Sequence, residues 1–187
     1  MSSRDAARAE QAVTYAAVGA SQAPDLLQYP PQGYRPLEMR GRVGHGDERW
    51  EWAVDALLTG GVYRGAGMGV RMRAVDAGEA ERAYQPVEFD DHGEPIEPAE
   101  VGAVEEVYTA DGTRRLRPGD IVVVGLAVGE RLWLPLPGRV VLLEQQEARV
   151  MYAVGTLPGH AFSGEESFTL EWEENGSVWL TVRSFAR

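Results

Sequence analysis

Residues 168–182, FTLEWEENGSVWLTV, contain the strongest fold pattern in the chain, two alternating runs on either side of a glycine-containing turn. Alternation of apolar and polar residues is typical of strands that bury one face. A two-residue turn at Asn175-Gly176 would pair Trp172 with Trp179 and mix the two faces. A three-residue loop with a left-handed Gly176 keeps the faces separate, and a one-residue slip would invert them. We therefore predict a hairpin with the pairs Trp172–Val178, Leu170–Leu180 and Phe168–Val182.

The sequence changes from a strand period to a helix period after Gly46. Apolar residues then follow the i, i+4, i+7, i+8 spacing of an amphipathic helix, at Trp50, Val54, Leu57 and Leu58. The glycine pair Gly60-Gly61 ends this pattern. We predict one main helix over Asp47–Leu58.

Several further segments have the composition or alternation of strands. They are Ala12–Val18, Leu37–Val43, Met68–Val75, Val104–Tyr108, Ile121–Val128, Leu132–Leu136, Arg139–Glu144 and Arg149–Val154. An early strand, a helix and then a run of hairpins predict an α+β fold, in which a curved antiparallel β-sheet packs on one main helix. This order resembles that of the helix-grip proteins related to lipid-transfer domains, which is an analogy of fold alone.

A length of 187 residues predicts one domain with a substantial core. Residues 1–11 are polar and are expected to form a flexible leader, so the single α+β domain is predicted to span residues 12–187. The stretch 76–102 is rich in acidic residues and contains three prolines. We predict that it forms an acidic insertion loop.

Composition excludes several classes of function. The formal net charge is −11, so the protein on average repels nucleic acid, and we predict no nucleic-acid partner. The chain has no cysteine, which excludes disulfides, thiolate catalysis and cysteine zinc sites. Its longest apolar run, Ile121–Val128, is far shorter than the roughly 20 residues of a membrane-spanning helix. The N-terminal residues lack the apolar run of a signal peptide, so a cytoplasmic location is expected.

A histidine and two glutamates follow the predicted strand Arg149–Val154. His160 ends a Leu-Pro-Gly-His turn, and Glu165 and Glu166 come shortly after it, so the cluster lies at a surface turn. With a carboxylate partner, His160 can act as a general base or as a donor that orients a ligand. Its alternative role is structural, as a turn residue that bonds the nearby backbone. Adjacent residues of a strand point to opposite faces, so one glutamate is expected to reach His160 and the other to be solvated.

Three functions fit these residues. The preferred one is a non-enzymatic module that binds a small apolar ligand, in a cavity bordered at its mouth by Tyr152, His160, Trp172 and Trp133. The second is a hydrolase or isomerase in which His160 is the acid/base and Glu165 or Glu166 orients it. The third is a scaffold or interaction protein that uses the acidic loop and an exposed sheet edge. The sequence predicts no cofactor and no set of metal ligands.

Two blocks of sequence carry a family resemblance. One contains Gly33-Tyr34 and Arg42-Val-Gly-His-Gly-Asp47, and the other contains Gly119-Asp120 and the segment from Tyr152 to Phe168. With these blocks the chain resembles uncharacterised protein family 0548, also called the domain-of-unknown-function nineteen-ninety family, which occurs in bacteria and plants. The resemblance implies an uncharacterised protein, here expected to be bacterial, with no catalytic residue to carry over. Family members continue past the position of Ser184 into a helical tail, so we expect this terminal helix to be absent from the chain.

Overall fold

The computed structural model describes residues 11–75, 106–128 and 132–187, with the main chain alone at residues 126–128, 132 and 133. The predicted acidic loop at 76–102 therefore lies outside the described residues. The same holds for residues 1–10 of the predicted leader and for the first two residues of the predicted strand Val104–Tyr108.

Seven strands and two α-helices are found in the described ranges. In chain order they are β1 (Arg35–His45), α1 (Asp47–Leu58), α2 (Gly61–Gly65), β2 (Gly69–Arg73), β3 (Ile121–Val128), β4 (Leu132–Gln146), β5 (Arg149–Thr156), β6 (Gly164–Trp172) and β7 (Ser177–Ala186). A short 3-10 helix, Ala20–Gln22, precedes them. Within these ranges we find no helix with the length and apolar character needed to cross a membrane.

The seven strands form one curved antiparallel sheet in the order β1-β7-β6-β5-β4-β3-β2. β1 and β2 lie at opposite edges, and α1 and α2 connect them across one face of the sheet, which we call the inner face. This architecture confirms the predicted α+β class, with a curved antiparallel sheet packed on one main helix.

The β6–β7 hairpin has the predicted register. Trp172 pairs with Val178, Leu170 with Leu180 and Phe168 with Val182. Gly176 has a φ of 79°, which is the left-handed conformation that the three-residue loop requires. The Glu173 N–H donates to the Ser177 carbonyl at 2.9 Å and closes the loop. The apolar residues of both strands consequently share the inner face.

Helix α1 begins and ends at the predicted residues, Asp47 and Leu58. Its buried residues Trp50, Ala53, Leu57 and Leu58 join the core on the inner face. Trp50 stacks on Trp172, with ring centroids 5.8 Å apart and planes inclined by 19°. Aromatic pairs of this kind add about 0.5–1.5 kcal/mol to the gain from burial, so this contact fixes α1 over the β6–β7 hairpin.

Residues 11–34 cover the opposite face of the sheet, which we call the outer face. Tyr15 and Leu26 are buried there against Phe185 of β7, and the rings of Tyr15 and Phe185 meet edge to face at 5.4 Å. The sheet is therefore buried on both faces in this region, although the sequence predicted a helix on one face only.

The prediction of a strand at Ala12–Val18 is wrong. Thr14 donates one main-chain hydrogen bond to Thr156, 2.9 Å long. Gly19, with a φ of 85°, then turns the chain into the 3-10 helix. The extended stretch is thus too short to form a ladder with β5.

Strand β4 is continuous where two separate strands were predicted. It contains Pro135 and Pro137, and proline cannot donate a ladder hydrogen bond. Both prolines pair with β3 but lie before Gly138, where pairing with β5 begins. The Pro137 carbonyl points away from β3 and accepts a hydrogen bond from Leu157 at 3.0 Å. Since the N–H and C=O of a strand residue point to the same side, the donor that Pro137 lacks would also have pointed away from β3.

Short elements account for the remaining differences. The structure adds α2 and the 3-10 helix, which are five and three residues long and cannot display a helical period. Of the predicted strand Val104–Tyr108, the described residues form only an isolated bridge between Tyr108 and Arg114. A turn at Asp111-Gly112 lies between these two residues, with a φ of 79° at Gly112.

The hairpin loop can be tested with two glycines. Gly176→Ala should lower the free energy of unfolding by about 1–2 kcal/mol, because an alanine is strained at a φ of 79° and its Cβ would lie 2.8 Å from the His45 ring. Gly41→Ala in β1 is the matched control, because its Cβ would meet no atom within 4 Å and its backbone has an ordinary φ. We expect Gly41→Ala to be neutral or stabilising by urea denaturation. Equal losses for the two variants would contradict the assignment of the loop.

Candidate functional site

A cavity of about 420 Å³ lies beneath the turn that carries His160, between α2 and the inner face of the sheet. Its walls are mainly apolar and come from five adjacent strands, with Val124, Leu136, Val154, Phe168 and Val182 among the lining residues. The hydroxyl-bearing Tyr63 of α2 and the carboxyl-bearing Glu166 of β6 also line it. The space is thus an apolar chamber with a small polar region.

The turn between β5 and β6 places His160 at the mouth of this cavity. Gly159 has a φ of 93°, and the His160 N–H donates to the Leu157 carbonyl at 3.0 Å. The imidazole Nδ1 lies 3.0 Å from both the main-chain nitrogen and the carbonyl oxygen of Phe162. Burial lowers the pKa of His160, so its ring is uncharged at neutral pH. The side chain of Phe162, 58% exposed, lies beside it at the rim.

Neither glutamate pairs with His160 among the described residues. The two carboxylates instead accept hydrogen bonds from tyrosines, Glu165 from Tyr15 and Glu166 from Tyr63. The sequence led us to expect that one glutamate would reach the imidazole. In the structure each carboxylate instead accepts a hydrogen bond from a tyrosine in a distant part of the chain. The acid/base hypothesis requires a carboxylate that orients His160, and neither glutamate bonds to its ring.

Glu165 points to the outer face and is 2% exposed. It accepts hydrogen bonds from the Tyr15 hydroxyl at 2.6 Å, the Gly19 N–H at 2.8 Å and the Ser21 N–H at 3.0 Å. The last two donors belong to the first turn of the 3-10 helix, whose N–H groups have no partner within the helix. The expectation that one glutamate would be solvated is wrong for Glu165, because residues 11–34 cover it. Its carboxylate holds this segment on the sheet.

Glu166 points to the inner face, because it alternates in phase with Phe168 and Leu170 along β6. Its Oε2 accepts a hydrogen bond from the Tyr63 hydroxyl at 3.1 Å, and no other donor in the described part of the chain bonds to the carboxyl. Burial raises the pKa of Glu166, and the Tyr63 hydrogen bond offsets this only in part. The cavity therefore contains an acid that is poorly compensated by the protein.

Tyr152 lies deeper than the sequence suggested. It is fully buried in the core, where its ring packs on Phe168 with centroids 5.1 Å apart. Its hydroxyl has no hydrogen-bond partner among the described residues, and burial together with the nearby Glu166 raises its pKa. Tyr152 is therefore behind the polar region of the cavity and away from its mouth.

The two tryptophans proposed at the mouth are placed differently. Trp172 packs on Trp50 at the α1 end of the core and is not part of the cavity lining. The side chain of Trp133 lies outside the described part of the structure. Sequence reasoning also missed Tyr63, because α2 is too short to reveal which of its residues face the sheet.

Comparison with known proteins gives one family. The profile of the family described as "Domain of unknown function (DUF1990)" matches residues 14–106 and 100–187. A UPF0548 protein of Deinococcus radiodurans is 30% identical over 181 residues, which cover 95% of this chain and 73% of the relative. A UPF0548 protein of Arabidopsis thaliana is 38% identical over 61 residues, 29% of this chain and 30% of the relative.

One of the solved structures that match covers most of the chain. It is a hypothetical protein from Helicobacter pylori, with a TM-score of 0.47 and 10% sequence identity, and the match covers 87% of this chain and 74% of that one.

The anchoring role of Glu165 predicts a large loss of stability on truncation. Glu165→Ala should lower the free energy of unfolding by about 3 kcal/mol or more, because it removes the acceptor of two buried donors and one partly buried donor. Glu171→Ala is the matched control, because Glu171 lies on the same strand and face but forms a half-exposed ion pair with Arg40 at 3.7 Å. That pair should contribute at most about 1 kcal/mol. Similar losses for both variants in urea denaturation would contradict the anchoring role.

The half-buried carboxyl of Glu166 predicts a pH-dependent gain of stability for Glu166→Gln. Burial raises the folded-state pKa of Glu166 above its unfolded value, so stability from this group is complete at low pH and is lost as pH rises through the folded pKa. The neutral variant should therefore melt at a higher temperature than the wild type at pH 7. The melting temperature should rise by ~2–4 °C for each 1 kcal/mol gained in the free energy of unfolding.

The same comparison at lower pH provides the check. The difference in melting temperature should shrink as pH falls toward the ordinary glutamate pKa of 4.5, because both side chains are then neutral. Glu171→Gln changes the net charge equally and serves as the control. A melting difference that is constant across pH would show that burial of the charge is not the cause.

Proposed function

The chain belongs to the DUF1990 family, whose function is unknown, and we propose that it is a non-enzymatic protein that binds a small, mainly apolar ligand in the cavity beneath the His160 turn. The cavity carries this proposal. Its volume of about 420 Å³ falls within the roughly 300–1,000 Å³ of sites that bind small molecules. Its apolar wall with a few polar groups is the usual composition of such sites.

The surroundings of the cavity support binding by a preformed site. Its floor consists of adjacent strands of one hydrogen-bonded sheet, and its roof is α2. Gly60 and Gly67, at either end of α2, both have positive φ angles that fix where this helix begins and ends. A rigid chamber costs a ligand little ordering of the protein on binding.

The rim also suits an apolar ligand. Phe162 exposes most of its ring beside an imidazole that burial keeps uncharged at neutral pH. An exposed aromatic side chain next to an open apolar space is a common feature of binding sites. The helix-grip resemblance supports the proposal as an analogy of fold alone, and the cytoplasmic location remains a prediction from composition.

Straight-chain alcohols test the proposal directly. We expect butanol, hexanol and octanol to bind with increasing affinity, by about fourfold for each methylene that leaves water, until the chamber is filled. Displacement of an apolar fluorescent dye and mass spectrometry of the native protein measure this series. A protein that releases no bound molecule and binds none of the alcohols would contradict the proposal.

A pair of neighbouring variants locates the site. Val182→Trp places a large ring in the cavity and should weaken octanol binding at least about tenfold. Thr181→Trp adds a ring to the adjacent residue, which alternation directs to the outer face, and should leave octanol binding unchanged. Circular dichroism checks that both variants are folded. Equal effects of the two variants would place the ligand elsewhere.

A further inference from the structure

The polar region of the cavity contains an acid without a basic partner. Glu166 directs its carboxyl to the inner face, where Oε2 accepts the Tyr63 hydroxyl and Oε1 has no donor among the described residues. Desolvation is the main influence on its pKa, and no arginine side chain contributes to it. Glu166 is half-buried, and a partly desolvated carboxyl without a basic partner favours protonation or pairing with a positive group.

The titratable groups around Glu166 come from three elements. They are Tyr63 of α2, Tyr152 of β5 and His160 of the β5–β6 turn. Burial raises the pKa of both tyrosines and lowers that of His160, so all three are uncharged near neutral pH. The polar region therefore carries one acidic group and no positive charge from the described part of the chain.

We propose that the ligand carries a protonated nitrogen, as in an alkyl- or arylalkylamine, and that this cation pairs with Glu166 while its apolar part fills the cavity. This inference rests on the proposed function and adds the chemical class of the ligand. An ammonium group supplies the N–H donors that Oε1 lacks and the charge that stabilises the ionised carboxylate. An alcohol supplies a donor without a charge, and a carboxylate ligand would be repelled.

Two further features favour a cation. The net charge of −11 raises the local concentration of positive ligands and lowers that of negative ones. The Tyr63 hydroxyl fixes the Oε2 side of the carboxyl, so the other oxygen is already oriented when the ligand arrives.

The pairing makes affinity for a cation depend on pH. Because burial raises the pKa of Glu166, the acid ionises at a higher pH than an exposed glutamate, and binding of an amine should strengthen as pH rises through that pKa. Loss of a proton from His160 over its lowered pKa range acts in the same direction. An alkylamine itself stays protonated to about pH 10, so between pH 4.5 and 8 the change reports on the protein.

Three probes of eight carbons each test the inference: octylamine, octanol and octanoate. At pH 7.5 we expect octylamine to bind about tenfold or more tightly than octanol, and octanoate to bind more weakly than octanol. Glu166→Gln should remove the advantage of octylamine over octanol. Glu171→Gln, on the outer face of the same strand, makes the same change of net charge and should bind like the wild type.

The outcomes separate this inference from the proposed function. Octanol binding without a preference for octylamine, or a preference that persists in Glu166→Gln, would overturn the inference and leave the binding function standing. Failure of all three probes to bind would overturn both. The wild type provides a second measurement that needs no variant: the advantage of octylamine over octanol must fall as pH is lowered from 8 to 4.5, the ordinary glutamate pKa, which lies below the raised pKa of Glu166. A constant advantage over this range would also overturn the inference.

Discussion

The pairing of β6 with β7 is the constraint on which the rest of the structure depends. Because side chains alternate along a strand, the register that pairs Phe168 with Val182 also sends Glu166 to the inner face and Glu165 to the outer face. One carboxylate then enters the cavity and the other binds the N-terminal segment. A slip of one residue would exchange the faces of the two acids and expose the apolar side chains. The register of β6 and β7 therefore determines the packing of the core, the attachment of the N-terminal segment and the polar region of the cavity.

α1 and α2 cover the inner face to different extents, and the cavity results from this difference. α1 packs large side chains over the sheet, with Trp50 on Trp172 at one end and Leu57 and Leu58 buried in the core. α2 is five residues long and contributes Val62 and Tyr63 to the cavity wall. A helix this short presents little surface to the sheet, so the space beneath it stays open. The apolar chamber is therefore a consequence of unequal helix lengths in one connection.

Local patterns in the sequence predicted the fold well. The hairpin register and the bounds of α1 follow from side-chain alternation and from the 3.6-residue period, both of which are visible within a dozen residues. The sites were harder, because they depend on contacts between distant residues. Tyr15 and Glu165 are 150 positions apart, and no local pattern indicates that they meet. The sequence placed Tyr152 at the mouth of the cavity and could not predict that it is fully buried, since depth depends on the packing of α1 and α2 above it.

The long separation between β1 and β7 has a consequence for biogenesis. Gly41 pairs with Leu180, and the Glu165 carboxylate holds residues 19 and 21, so the first strand and the N-terminal segment dock only after β6 and β7 have left the ribosome. Until then β1 has no neighbour in the sheet, and its apolar side chains Leu37 and Met39 can form non-native contacts. The native topology thus postpones closure of the sheet edge at β1 to the last stage of synthesis.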